Sequence, residues 1–223
     1  KTSWVLTKLF DLQVRQSQWQ AALKTLDQAI KTGAIKNADG QGLRAVILLG
    51  CSLEAEIAGN KADALSFAEK AHKQQPDHLP SIVRRASLMN EAGKTRGLLK
   101  LVKEAWAHAP HPKLADFYVG GDAASDALSR VKKLEELREA NPDHPESRIA
   151  LLRALIDAKI WGAARTHLKA LGLDDPPSRV CRLMAELEEG EYQDTGAVRH
   201  WLVRAANAAP DPAWICGDCG AAS

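Results

Sequence analysis

Two stretches decide the fold: Gly59-Asn60-Lys61-Ala62-Asp63-Ala64-Leu65-Ser66-Phe67-Ala68-Glu69-Lys70-Ala71-His72-Lys73-Gln74-Gln75-Pro76, and Gly93 to Pro110 one repeat later. Each opens on glycine, closes on proline and carries apolar residues twelve, eight and five positions before the proline. Those offsets are Ala64, Ala68 and Ala71 in the first stretch and Leu98, Val102 and Ala105 in the second. Spacings of three and four residues put these side chains on one face of a helix. Proline ends that helix because it lacks an N–H and clashes with the preceding turn.

The pattern recurs outward. Pro76, Pro110, Pro142, Pro176 and Pro210 lie 34, 32, 34 and 34 residues apart. The same three offsets hold Leu137, Leu134 and Arg130 before Pro142, Leu171, Leu168 and Ala164 before Pro176, and Ala205, Leu202 and Val198 before Pro210. Only Arg130 departs from the apolar rule. A period of 34 resembles the tetratricopeptide repeat, two antiparallel helices (A and B) with their turns. Gly59 and Gly93 stand seventeen residues before their prolines, where a glycine closes helix A. The expected fold is therefore all-α, a right-handed superhelical solenoid of about six helix-turn-helix units. Their spans are 3–34, 45–78, 79–112, 113–144, 145–178 and 179–212, so residues 1–212 form one array and 213–223 a separate tail. Trp19 and Trp161 share one slot, three residues before Ala22 and Ala164. Ile35 to Gly42, rich in Asn, Asp and Gly, reads as a loop between the first two units. In the fourth unit helix A is short, from Lys113 to Val119, ahead of Gly120-Gly121-Asp122.

Composition agrees with helix. The 223 residues include 37 Ala and 28 Leu against 19 Val and Ile together, and β-branched residues are the poorer helix formers. Thirty basic and 28 acidic residues leave a net charge of +2, which argues against nucleic acid or an anionic membrane surface as partner. The longest apolar run, Ala45 to Cys51, is too short to span a bilayer. A start at Lys1 without Met, running directly into a helical pattern, points to a fragment of something longer. Cys51 and Cys181 sit inside apolar helical patterns and read as core residues.

Motifs of catalysis are missing from the sequence: no phosphate-binding glycine motif, no nucleophile elbow and no metalloprotease helix. A non-enzyme is expected. His78, His108, His111 and His144 fall at helix ends or loops, and His72 and His167 stand singly on B helices. Glu186, Glu188, Glu189 and Glu191 read as a solvated helix end. Repeat arrays bind other proteins along the surface lined by their A helices, and the candidates there are Arg84, Ser87, Asn90, Arg153 and Asp157. The fifth A-helix positions hold Leu49, Val83, Ile149 and Leu183, which excludes the Lys and Asn of a carboxylate clamp. The tail carries Cys216-Gly217-Asp218-Cys219-Gly220, half of a zinc knuckle. Zinc would need a second pair of ligands beyond Ser223. A redox pair and an incidental pair of thiols are the alternatives, and no cofactor is expected in the fragment itself.

Pro142-Asp143-His144-Pro145-Glu146, Ala163-Ala164-Arg165-Thr166-His167-Leu168, Arg199-His200-Trp201-Leu202 and the ending Pro210-Asp211-Pro212-Ala213-Trp214-Ile215-Cys216 resemble the C-terminal region of the HemY-like proteins of Gram-negative bacteria. The resemblance implies a non-catalytic scaffold that organises or regulates late haem-synthesis enzymes. It also implies an inner-membrane anchor preceding this chain, with this region cytoplasmic. Some members of that family continue to a second CxxC. A lipopolysaccharide-assembly regulator, which also joins such repeats to a rubredoxin-like end, is the alternative within the binding class. A haem or porphyrin carrier using His108 or His111 is the alternative from another class.

Overall fold

The computed structural model describes residues 3–120, 126–172 and 174–209. Among them are twelve α-helices and no strand. The chain divides into two compact units, 1–121 and 122–223, each a stack of tetratricopeptide-type helical hairpins.

The first unit holds α1 (Ser3–Arg15), α2 (Trp19–Lys31), α3 (Asn37–Ile57), α4 (Lys61–Gln74), α5 (Leu79–Glu91), α6 (Thr95–Trp106) and α7 (Pro112–Gly120). Odd-numbered helices are the A helices of their repeats and even-numbered ones the B helices. Ala64, Ala68 and Ala71 are fully buried, as are Leu98 and Val102 one repeat later, so the offsets counted from the prolines mark the packed face of helix B. Small side chains there let the helix axes approach closely. The Asn60 side chain caps α4 by accepting from the Asp63 N–H at 3.2 Å.

One expectation is corrected. Asn37 to Gly42 is not loop but the opening of α3, which runs to Ile57. Lys36 is extended and Asp39 sits in the first turn, favourably placed against the positive end of the helix dipole. Gly40 is buried, and a Cβ on it would collide with Ile30 of α2. The glycine that suggests a loop by composition serves a close helix–helix approach.

The second unit holds α8 (Ala127–Arg138), α9 (Pro145–Asp157), α10 (Trp161–Ala170), α11 (Ser178–Tyr192) and α12 (Thr195–Asn207). Asp126 and Asp194 cap α8 and α12 through the backbone N–H groups of Ser129, Gly196 and Ala197, and Pro145 begins α9. Val180, Cys181, Leu151, Leu152 and Leu187 fill the core.

Both units use the shared tryptophan slot in the same way. Trp19, opening α2, lies over Gly50 of α3, and Trp161, opening α10, lies over Gly190 of α11. Any Cβ at either glycine would enter the indole. Both units also turn from helix A to helix B through a left-handed residue at one register. Gly59 (φ 79°) and Gly93 (φ 66°) are joined there by Ser17 (φ 56°), Lys159 (φ 58°) and Gln193 (φ 54°).

Candidate protein-interaction surface

Arg84, Ser87 and Asn90 lie on α5 of the first unit, and Arg153 and Asp157 on α9 of the second. The two arginines are engaged within the molecule. Arg84 donates from Nε to Ser52 Oγ (3.0 Å), from Nη2 to the Ser52 carbonyl (3.1 Å) and from Nη1 to Glu56 (2.8 Å). Ser52 in turn donates to the Ala64 carbonyl at 2.8 Å, so Arg84 ties α5 to α3 and through it to α4. Arg153 grips both carboxylate oxygens of Glu186 on α11 (2.9 and 2.7 Å) and reaches Asp157 at 3.3 Å. Ser87 is half-buried and Asn90 exposed.

The acidic run on α11 also departs from expectation. Arg165 of α10 donates to Glu188 through Nη1 and Nη2 (3.1 and 3.0 Å) and to Glu191 through Nε (2.5 Å). Its guanidinium lies 4.9 Å from the centre of the Tyr192 ring. With Glu186 held by Arg153, three of the four carboxylates are cross-braces between helices and not a solvated end. Arg179 of α11 and Glu146 of α9 add a further pair. Its acid is only 5% exposed.

An A-helix surface missed by the residue-level reading is apolar. Along α3, Val46, Leu53 and Ile57 are 50, 48 and 88% exposed. They recur at seven and four residues, one stripe of the helix. Ala45, Leu48 and Ser52, on the opposite side, are buried. Asn90 and Ser87 belong to the next A helix, α5, which Arg84 binds to α3. The stripe had a readable signal: apolar residues with a helical period offset by one position from the buried set.

The histidines and cysteines carry less. His72 lines a cavity of about 230 Å³ with Asp77, Glu104 and His108, and burial, then the Arg85 cation, hold its basicity below the usual histidine range. His167 is shifted the same way by burial, then Arg138 and Arg148. His111 accepts at Nδ1 from the Lys113 N–H at 3.3 Å. Among the described residues no group of three or more His, Cys, Asp or Glu is arranged to hold a metal ion. Burial, then Glu54, pushes the Cys51 thiol up to about 11, and Cys181 is also buried and raised by burial. Both therefore act as small core residues. Cys216 and Cys219 lie outside the described residues. Among the described residues no helix is long and apolar enough to cross a membrane.

No protein-family model matches the chain. It is 30% identical over 211 residues to the probable magnetosome protein Mms48 of Magnetospirillum gryphiswaldense, an alignment covering 94% of this chain. The chain spans about half (47%) of the length of that curated relative. Among solved structures, it is similar to MamA from Desulfovibrio magneticus RS-1, with a TM-score of 0.38 and 14% identity over 76% of this chain and 93% of that one. PilF of Pseudomonas aeruginosa gives 0.42 and 13% over 89% and 88%. YrrB, described as a tetratricopeptide protein with an unusual peptide-binding site, gives 0.42 and 12% over 82% and 91%. The fold assignment rests on the hairpins and their shared register.

Proposed function

We propose that the chain is a non-catalytic protein-interaction module that holds a partner segment against the A-helix face of its first unit. The observation that carries this is the exposed stripe Val46, Leu53 and Ile57 on α3. An apolar row of that length left in water on a rigid scaffold is the signature of a contact surface. Ser87 and Asn90 lie on α5, the next A helix, which Arg84 holds in register with α3. Arg153 and Asp157 contribute to the second unit's bracing rather than to this surface.

Two settings supply the partner. The motif resemblance supports a scaffold for late haem-synthesis enzymes, anchored in the inner membrane by a segment outside this chain. In that setting this region faces the cytoplasm, and Cys216 and Cys219 are half of a zinc site completed in the longer protein. The 30% identity to a probable magnetosome protein supports a second setting, on a magnetosome.

Photo-crosslinking tests the surface and the setting together. A photoreactive residue replacing Leu53 in the native host should give a discrete protein adduct, lost in an additional Ile57→Arg background. The same probe replacing Asp157 should give none. Identification of the adduct as a haem-synthesis enzyme or a magnetosome protein assigns the setting. An adduct at position 157 and not at 53 would overturn the proposed surface.

A further inference from the structure

The period of the α3 stripe restricts what can lie on it. Leu43, 37% exposed, extends the row toward the start of the helix, which then runs Leu43, Val46, Leu53, Ile57. With Gly50 as the missing member, the steps are three, four, three and four residues, the alternation of a coiled-coil seam. Gly50 does not interrupt the row. The half-exposed Trp19 indole lies where a side chain at 50 would stand. The result is one apolar edge about 21 Å long.

We propose that this edge receives an amphipathic helix of a partner protein, its apolar row on α3 and a Lys or Arg beside that row at Glu54. The inference rests on the stripe being the contact surface, and adds the shape and charge of what that surface holds. Alternating steps of three and four residues keep a second helix in contact over several turns, because its knobs enter holes spaced in the same way. An extended strand presents one face about every 6.7 Å and falls out of step with an edge whose steps are about 4.5 and 6 Å.

The charges then select among helices. On α3, Arg44 is held by Asp27 and Glu56 by Arg84. Glu54 is exposed beside Leu53, near the negative end of the helix dipole. At the opposite end the exposed Lys36 and Asp39 balance each other. Beyond the helix, Lys61 reaches Glu91 of α5 at 3.3 Å. The acidic end of the edge is therefore the C-terminal one, and a cation on the partner complements it. A second copy packed α3 to α3 brings no such cation, since the one base on α3 is Arg44 and Asp27 holds it.

Binding of designed peptides is the test. Two helical probes of about 18 residues carry Leu at heptad positions a and d, with Lys at e and g in one and Glu in the other. A third has the Lys composition in scrambled order. Fluorescence anisotropy with the 223-residue chain at physiological salt should show saturable binding of the Lys probe. The Glu and scrambled probes should bind at least about tenfold more weakly. Leu53→Ser/Ile57→Ser, at two exposed positions, should abolish binding, and Glu54→Lys should reverse the preference between the Lys and Glu probes. Equal binding of any two probes, or a preference unmoved by Glu54→Lys, would overturn the proposal. So would binding of none. In that case a crosslinked adduct from position 53 in the host retains the contact surface and removes only the basic helix. A dimer in sedimentation that Leu53→Ser/Ile57→Ser disperses also overturns it, a second copy then being the occupant.

Discussion

The two units build the same hairpin with different cross-links. In the first, the packed faces of the B helices are alanine, leucine and valine, Arg84 joins the consecutive A helices α3 and α5, and the pairs Arg44–Asp27 and Lys61–Glu91 lie at the surface. The second is laced by Arg153–Glu186, Arg179–Glu146 and Arg165 with Glu188 and Glu191. The consequence is functional. On α3 the brace to Arg84 runs through Ser52 and Glu56 and leaves Val46, Leu53 and Ile57 exposed. On α9 and α11 the charged residues themselves, Arg153, Glu146, Arg179 and Glu186, are taken up by the braces. The charged residues of an A helix therefore do not by themselves mark a binding surface.

The comparison is broken most severely at Glu146. Its carboxylate is buried between α9 and α11 and shared with the Arg179 guanidinium. Glu146→Ala removes the acid of this partly buried pair, at a cost of about 3 kcal/mol. Chemical denaturation read by hydrogen exchange should show the loss in 145–192 and not in α3 to α6. Equal loss in both units would mean that the braces do not act locally.

The matching perturbation of the first unit is steric. Ala68 is fully buried, and Ala68→Trp overpacks that face by about 2 kcal/mol. A melting temperature unchanged by this substitution would show that small residues are not required at that register.

Each unit also half-buries one histidine beside arginine, and acid should reach both. Burial, then Arg85, lowers the His72 pKa, and burial, then Arg138 and Arg148, lowers that of His167. The folded state therefore binds fewer protons than the unfolded chain, whose histidines titrate near roughly 6.5. The associated stability is present above that pH and is lost as pH falls through the depressed folded values. Melting temperatures should drop between about pH 7 and pH 5, and a His72→Gln/His167→Gln variant should show a flatter profile.

What could be read from the sequence was what repeats locally. Ala64, Ala68 and Ala71 announce their packed face because a helix period is visible within eight residues, and Gly59 and Gly93 announce their turns by being glycine. The braces were hidden because partners lie 23 to 33 residues apart. A carboxylate run such as Glu186 to Glu191 looks the same whether water or arginine faces it. Counting 33 residues back from Glu186, one short of the repeat length, reaches Arg153. The α3 stripe was hidden for the opposite reason: Val46, Leu53 and Ile57 look like core until the buried set Ala45, Leu48 and Ser52 is placed one position away. Arg84 and Arg153 drew attention as charges, and the fold uses them as struts.

The smallest expected effect separates the units at their turns. The first unit closes two A-to-B turns on glycine, at Gly59 and Gly93, and a third on Ser17, whereas the second uses Lys159 and Gln193 at the same register, all with positive φ. A side chain in that region crowds its own carbonyl, at a cost of roughly 1 kcal/mol that glycine avoids. No atom lies close enough to obstruct a Cβ at Gly59 or Gly93, so backbone conformation alone sets the difference there. Lys159→Gly and Gln193→Gly should each stabilise the second unit by a few tenths to about 1 kcal/mol, the gain being reduced by the extra freedom of glycine in the unfolded chain. Gly59→Ala and Gly93→Ala should destabilise the first unit by about 1 kcal/mol. Differential scanning calorimetry on the four single variants reads both signs. If Lys159→Gly and Gln193→Gly destabilise, the lysine and glutamine side chains contribute more to those turns than their backbone strain removes, and the turns of the two units are then not equivalent.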